Sequence, residues 1–141
     1  MNENDIGTQI IRAALAIHKE LGPGLLESVY EVLLADELKR MGYRVERQVP
    51  VPIRYCGRYF DEGFRVDLIV EGLVIVELKS VECVSPAHKK QVLTYLKLTN
   101  LKLGYLINFG AALLKDGITR VVNNIEDRNL CASAPLREEK E

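Results

Sequence analysis

The chain has 141 residues, 19 Lys and Arg against 20 Asp and Glu, a formal net charge of −1 and 48% hydrophobic residues. That length suits one domain whose core needs neither disulfides nor metal, and the balance excludes disordered, collagen-like and low-complexity readings of the whole chain. A near-neutral total gives no global pull on polyanions, so any nucleic-acid contact must come from a local basic surface.

Ile6, Ile10, Ala14, Ile17 and Leu21 recur at helical spacing, with Asn4 or Asp5 as N-cap, and Gly22-Pro23-Gly24 breaks this first helix. A second helix is expected from about Leu25 to Met41, burying Leu26, Val29, Leu33 and Leu38, with Gly42 ending it. From Tyr43 the period changes to two. Tyr43, Val45, Val49, Val51 and Ile53 alternate with polar residues, and Pro50 and Pro52 place the end of this strand at a sheet edge. A turn at Cys56-Gly57, a short strand at Arg58 to Phe60 and a second turn at Asp61-Glu62-Gly63 follow. Phe64 to Val70 and Leu73 to Lys79 then flank Glu71-Gly72, a hairpin signal.

The run Leu73-Val74-Ile75-Val76 is apolar on both faces and reads as a central strand. A third helix spans about Ala87 to Leu98, after Ser85-Pro86, and Lys102 to Asn108 and Ile118 to Val122 read as further strands. The fold class is therefore a single mixed α/β domain over residues 1–125. Residues 126–141 form a charged tail expected to be loose. Cys56, Cys83 and Cys131 are scattered without C-x-x-C spacing, which predicts reduced thiols and a cytoplasmic location. The polar N-terminus and short apolar runs predict neither a signal peptide nor a membrane span. His18 and His88 lack partners at catalytic spacing and read as packing residues.

Three polar groups stand where an apolar core would not place them casually. Asp67 lies within Phe64 to Val70, and Glu77 and Lys79 end the buried run on one strand face. Ionised groups on a central strand are costly unless paired or holding a metal. Carboxylates on two neighbouring strands make a hard-oxygen site suited to Mg²⁺. A strict two-residue turn at Glu71-Gly72 would pair Asp67 with Val76 and point it away from Glu77. Convergence requires a shift of one residue, and the sequence is expected to supply it through a three-residue loop or a bulge.

Asp67, nine residues, then Glu77-Leu78-Lys79 resembles the D…E-x-K signature of the PD-(D/E)xK nuclease superfamily, with its restriction-endonuclease-like fold. Gly24-Leu25-Leu26-Glu27-Ser28-Val29-Tyr30 is similar to the G-x-x-E-x-x-Y motif of one small branch. Gln91-Val92-Leu93-Thr94-Tyr95 is similar to the Q-x-x-x-Y motif of RecB-like and phage exonucleases. Val66 stands where the signature has proline.

The resemblance implies an αβββαβ core with an extra N-terminal helix, and a metal-dependent nuclease hydrolysing DNA or RNA. It implies that Asp67, Glu77 and the Leu78 carbonyl bind Mg²⁺ or Mn²⁺ and that Lys79 assists the attacking water. Glu27 becomes a candidate third carboxylate, with Tyr30, Gln91 and Tyr95 as further catalytic candidates. The alternative is a non-catalytic nucleic-acid-binding or scaffold protein that keeps the fold.

Basic residues from Lys39 to Arg65 (Arg44, Arg47, Arg54 and Arg58 among them), together with Lys89, Lys90, Lys97 and Lys102, offer a local surface for phosphates. No aromatic stacking array is apparent. A homodimer or a partner protein is a candidate source of specificity, and no membrane partner is expected.

Overall fold

The computed structural model describes residues 2–124, so the expectation of a loose tail over 126–141 falls outside the described residues. The elements are α1 (Glu3–Leu21), α2 (Glu27–Arg40), β1 (Val45–Tyr55), β2 (Arg58–Val70), β3 (Val74–Lys79), α3 (Pro86–Thr99), β4 (Leu103–Asn108), a 3₁₀ turn (Leu114–Gly117) and β5 (Ile118–Val122). The five strands lie in sequence order in one mixed sheet, in which only β3 and β4 pair in parallel. That parallel pair needs a crossover, which α3 provides.

Helices cover both faces. Ile6, Ile10, Ala14, Leu34 and Leu38 of α1 and α2 pack with Leu68, Val76 and Leu78 on one side. Val92, Tyr95 and Leu96 of α3 pack with Val66, Ile75 and Leu106 on the other. Strand β3 is buried along its apolar run, as its two-sided composition requires.

Helix α1 is capped by Asn2 rather than Asn4 or Asp5; the Asn2 side chain accepts from the Asp5 N–H at 2.9 Å and Asp5 reciprocates. Helix α2 presents a different face from the expected one. Leu26 is 73% exposed and Val29 is exposed, while Tyr30, Leu34, Ala35 and Leu38 are buried. Tyr30 sets this phase: its ring stacks on Phe109 at a 4.2 Å centroid distance, and its hydroxyl donates to the Gly22 carbonyl at 2.5 Å. His18 Nε2 lies 2.9 Å from the Ala111 carbonyl, and His88 Nδ1 accepts from the Ser85 N–H at the start of α3.

No turn interrupts Asp61-Glu62-Gly63. The expected short strand and its successor are one strand, β2, so the sheet has five strands rather than six. The register between β1 and β2 slips between Val51 and Ile53. Gly63 answers that slip, since a Cβ there would lie 2.2 Å from the Val51 carbonyl oxygen. The glycine marks close backbone approach, not a reversal. Strand β1, with its prolines, lies at the sheet edge.

Candidate metal centre

The β2–β3 turn decides whether the two central carboxylates meet. Val70 pairs with Val74, Ile69 with Ile75 and Leu68 with Val76, which leaves Glu71-Gly72-Leu73 as a three-residue loop. Glu71 and Gly72 both take positive φ, 55° and 67°, and the Leu73 N–H closes on the Val70 carbonyl at 3.0 Å. Leu73 is the extra residue that the one-residue shift demanded. Continuing the register sets Asp67 opposite Glu77, on a shared face.

Beyond Leu68 and Val76, side chains take over the bonding between the strands. The Asp67 N–H donates to Glu77 Oε1 at 2.8 Å, and the Leu78 N–H donates to Asp67 Oδ2 at 2.9 Å. Each carboxylate therefore reaches across to the partner strand's backbone, which fixes both at the mouth of the hairpin. Burial raises the Asp67 carboxyl first, and the charge of Glu31 adds to it; the Leu78 N–H, Gln48 and Lys79 pull it back. Burial and then the Asp67 charge push Glu77 up to about 8; the Asp67 N–H and Lys79 oppose this, and Glu27 adds to it. A buried carboxyl, Glu77, and a half-buried one, Asp67, thus repel each other with Lys79 as the nearby cation, a coupled pair whose protons belong to both.

The sequence reasoning missed the residues that brace this pair. Glu31, on α2, is only 5% exposed. Its carboxylate accepts from Arg47 Nε at 3.0 Å and from Gln48 Nε2 at 2.8 Å. Gln48 Nε2 also donates to Asp67 Oδ1 at 3.2 Å. Gln48 adopts φ 51°, which a non-glycine residue rarely takes, and Arg65 Nη1 bonds its carbonyl at 3.3 Å. The available signal was the i, i+4 spacing of Glu27 and Glu31 on one helix face.

Of the other candidates, Tyr95 of α3 lies within electrostatic reach of both carboxylates, with Gln91 beside it. Gln91 bonds the Tyr95 hydroxyl; burial, then Glu77 and Asp67, push that phenol up to about 12. Glu27 is exposed at the start of α2, beside the Ser80 side chain and within electrostatic reach of Glu77. Among the described residues no three His, Cys, Asp or Glu side chains gather at metal-holding spacing, so Asp67 and Glu77 form a pair and Glu27 does not complete a triad.

Tyr30 lies in the core. It is fully buried, and its hydroxyl is committed to the Gly22 carbonyl and the Leu25 N–H. It shapes the loop before α2 and does not reach the carboxylates. Of the basic residues, Arg47 is tied to Glu31, Arg40 to Glu37 and Arg65 to Gln48.

The donor set suits a hard divalent cation: two carboxylates that lack sufficient counter-charge, the Leu78 carbonyl next to Glu77 in sequence, and a lysine alongside. A family model described as the PD-(D/E)XK nuclease superfamily matches residues 4–121. No curated protein and no solved structure matches the chain.

Proposed function

The chain belongs to the PD-(D/E)XK nuclease superfamily, whose members generally use divalent metal ions and act on nucleic acid, and from that premise we propose that it is a phosphodiesterase centred on Asp67 and Glu77. The supporting observation is the convergence of buried Glu77 and half-buried Asp67 across the three-residue hairpin, each bonded to the other strand's backbone.

In this reading Asp67, Glu77 and the Leu78 carbonyl hold Mg²⁺ or Mn²⁺. The metal supplies Lewis acidity toward a phosphoryl oxygen and a more acidic water. Lys79 orients the attacking water and offsets negative charge developing on the phosphate. Gln48 and Glu31 fix the Asp67 carboxylate in place, because Gln48 donates to both. Gln91 and Tyr95 supply neutral donors near the carboxylates; a phenol pushed up to about 12 stays protonated at neutral pH. Glu27 adds negative charge at the rim. Residues 1–125 form the catalytic domain, and the G-x-x-E-x-x-Y segment assigns it to that branch of the superfamily.

Cleavage of labelled single- and double-stranded DNA and RNA, with Mg²⁺ and with chelator, tests the reading. Wild-type protein should cut only with metal, and Glu77→Ala should lose at least a hundredfold in rate, the scale of one transition-state charge contact. Equal cutting by both proteins, or none by either on any substrate, contradicts it.

A further inference from the structure

The outer half of the β1–β2 hairpin plays no part in holding the carboxylates. Strand β3 pairs only with Leu68 to Val70 of β2, whereas β1 and β2 continue pairing out to Tyr55 and Arg58. The distal segment is therefore a two-stranded arm, with Ile53 opposite Phe60, Arg54 opposite Tyr59 and Tyr55 opposite Arg58. Its tyrosines face solvent: Tyr55 is 67% exposed and Tyr59 is 63% exposed. The Arg54 guanidinium lies 5.1 Å from the Tyr59 ring centroid, and that of Arg58 lies 5.5 Å from the Phe60 ring centroid.

We propose that this arm docks an unpaired nucleic-acid strand, with a base stacking on Tyr59 and a phosphate held by Arg54 on one face of the ribbon, and Tyr55 with Arg58 offering the same pairing on the other face. The proposal rests on the nuclease reading and names the substrate class of the same site. Core packing does not require exposed rings on a two-stranded ribbon, whereas stacking does. Arg54 covers one face of Tyr59, and the ring's exposure leaves surface for a base. From Ile53 to Phe60 the chain carries two arginines and no acid, which complements a polyanion rather than a mixed protein surface. A duplex turns its base faces inward and offers these rings little, while every unpaired base presents a π-face.

A cleft of about 380 Å³ continues from Arg54 and Tyr59 past Pro52 to Leu98 and Thr99 of α3, a path for the strand. Eight residues of β2 separate Tyr59 from Asp67, roughly 25 Å along a strand. The bound strand must therefore span several nucleotides to reach both arm and carboxylates.

Anisotropy of fluorescein-labelled oligothymidylate, oligouridylate and a blunt duplex of equal length, on the full chain in chelator, reads binding without cutting. Wild type should bind an unpaired strand more tightly than the duplex, and the tighter homopolymer identifies the sugar. Tyr55→Ala with Tyr59→Ala should weaken that binding by about tenfold or more, while Tyr55→Phe with Tyr59→Phe, which keeps the rings and serves as the folding control, should retain it. Arg54→Gln with Arg58→Gln should flatten the salt dependence. Wild-type affinity in the alanine pair, preference for the duplex, or no oligonucleotide binding by wild type overturns the proposal. If the arm variants lose binding while wild type never cuts, the arm stands and the nuclease reading falls. Metal-dependent cutting by wild type, with wild-type affinity in the alanine pair, leaves the nuclease reading standing and removes the arm from it.

Discussion

Burial and the Asp67 charge push Glu77 up to about 8 from an ordinary value of 4.5, which ties stability to pH in a definite direction. A carboxyl raised in the folded state favours folding fully below its unfolded value and loses that contribution as pH rises through the folded one. The metal-free protein should therefore lose stability relative to Glu77→Gln between about pH 5 and pH 8, by an amount on the order of a few kcal/mol. Thermal melts of the two proteins across that range check it, and parallel curves would contradict it. Asp67, Glu77 and Lys79 are legible in the sequence because ionised groups on an apolar strand stand out against alternation. Glu31 and Gln48 are not. In sequence Glu31 is one more acid on an amphipathic helix, and only the left-handed turn of the edge-strand backbone at Gln48 brings that amide between Glu31 and Asp67. Tyr30 stands out through its motif, but its hydroxyl serves a loop.

At the scale of elements, the β2–β3 hairpin follows from arithmetic on period two: facing carboxylates require one extra residue, and Leu73 is that residue. The β1–β2 hairpin is harder to read. Asp61-Glu62-Gly63 has turn composition, yet β2 passes straight through it because the close neighbour of Gly63 is the β1 backbone. Local residue preference cannot reveal that contact, which depends on a partner strand. Gly63→Ala places a methyl 2.2 Å from the Val51 carbonyl, and no side chain can move aside to relieve it. A loss of about 1–3 kcal/mol in chemical denaturation is expected. Unchanged stability would mean that the two strands do not approach so closely. Helix α2 lies within two residues of its expected bounds but is rotated, since its phase is set by the Tyr30–Phe109 stack rather than by its own pattern of leucines.

At the scale of the whole molecule, the described residues form a five-stranded sheet between two helical layers, with the carboxylate pair where β2 and β3 part. Length and composition point only to a single domain, and the order of helices and strands supplies the α/β class and the rest of the architecture. No helix among the described residues is long and apolar enough to cross a membrane. A net charge of −1 conceals local polarity, with Asp67 and Glu77 facing each other across β2 and β3 and Arg54 and Arg58 on the hairpin arm. The claim on which the account turns is that Asp67 and Glu77 together hold a divalent cation. Titration calorimetry of Mn²⁺ into the full chain at about pH 8, where metal meets less competition from protons, tests it most directly. Saturable binding to wild type that disappears in Glu77→Gln is the predicted result; equal binding to both proteins would contradict it.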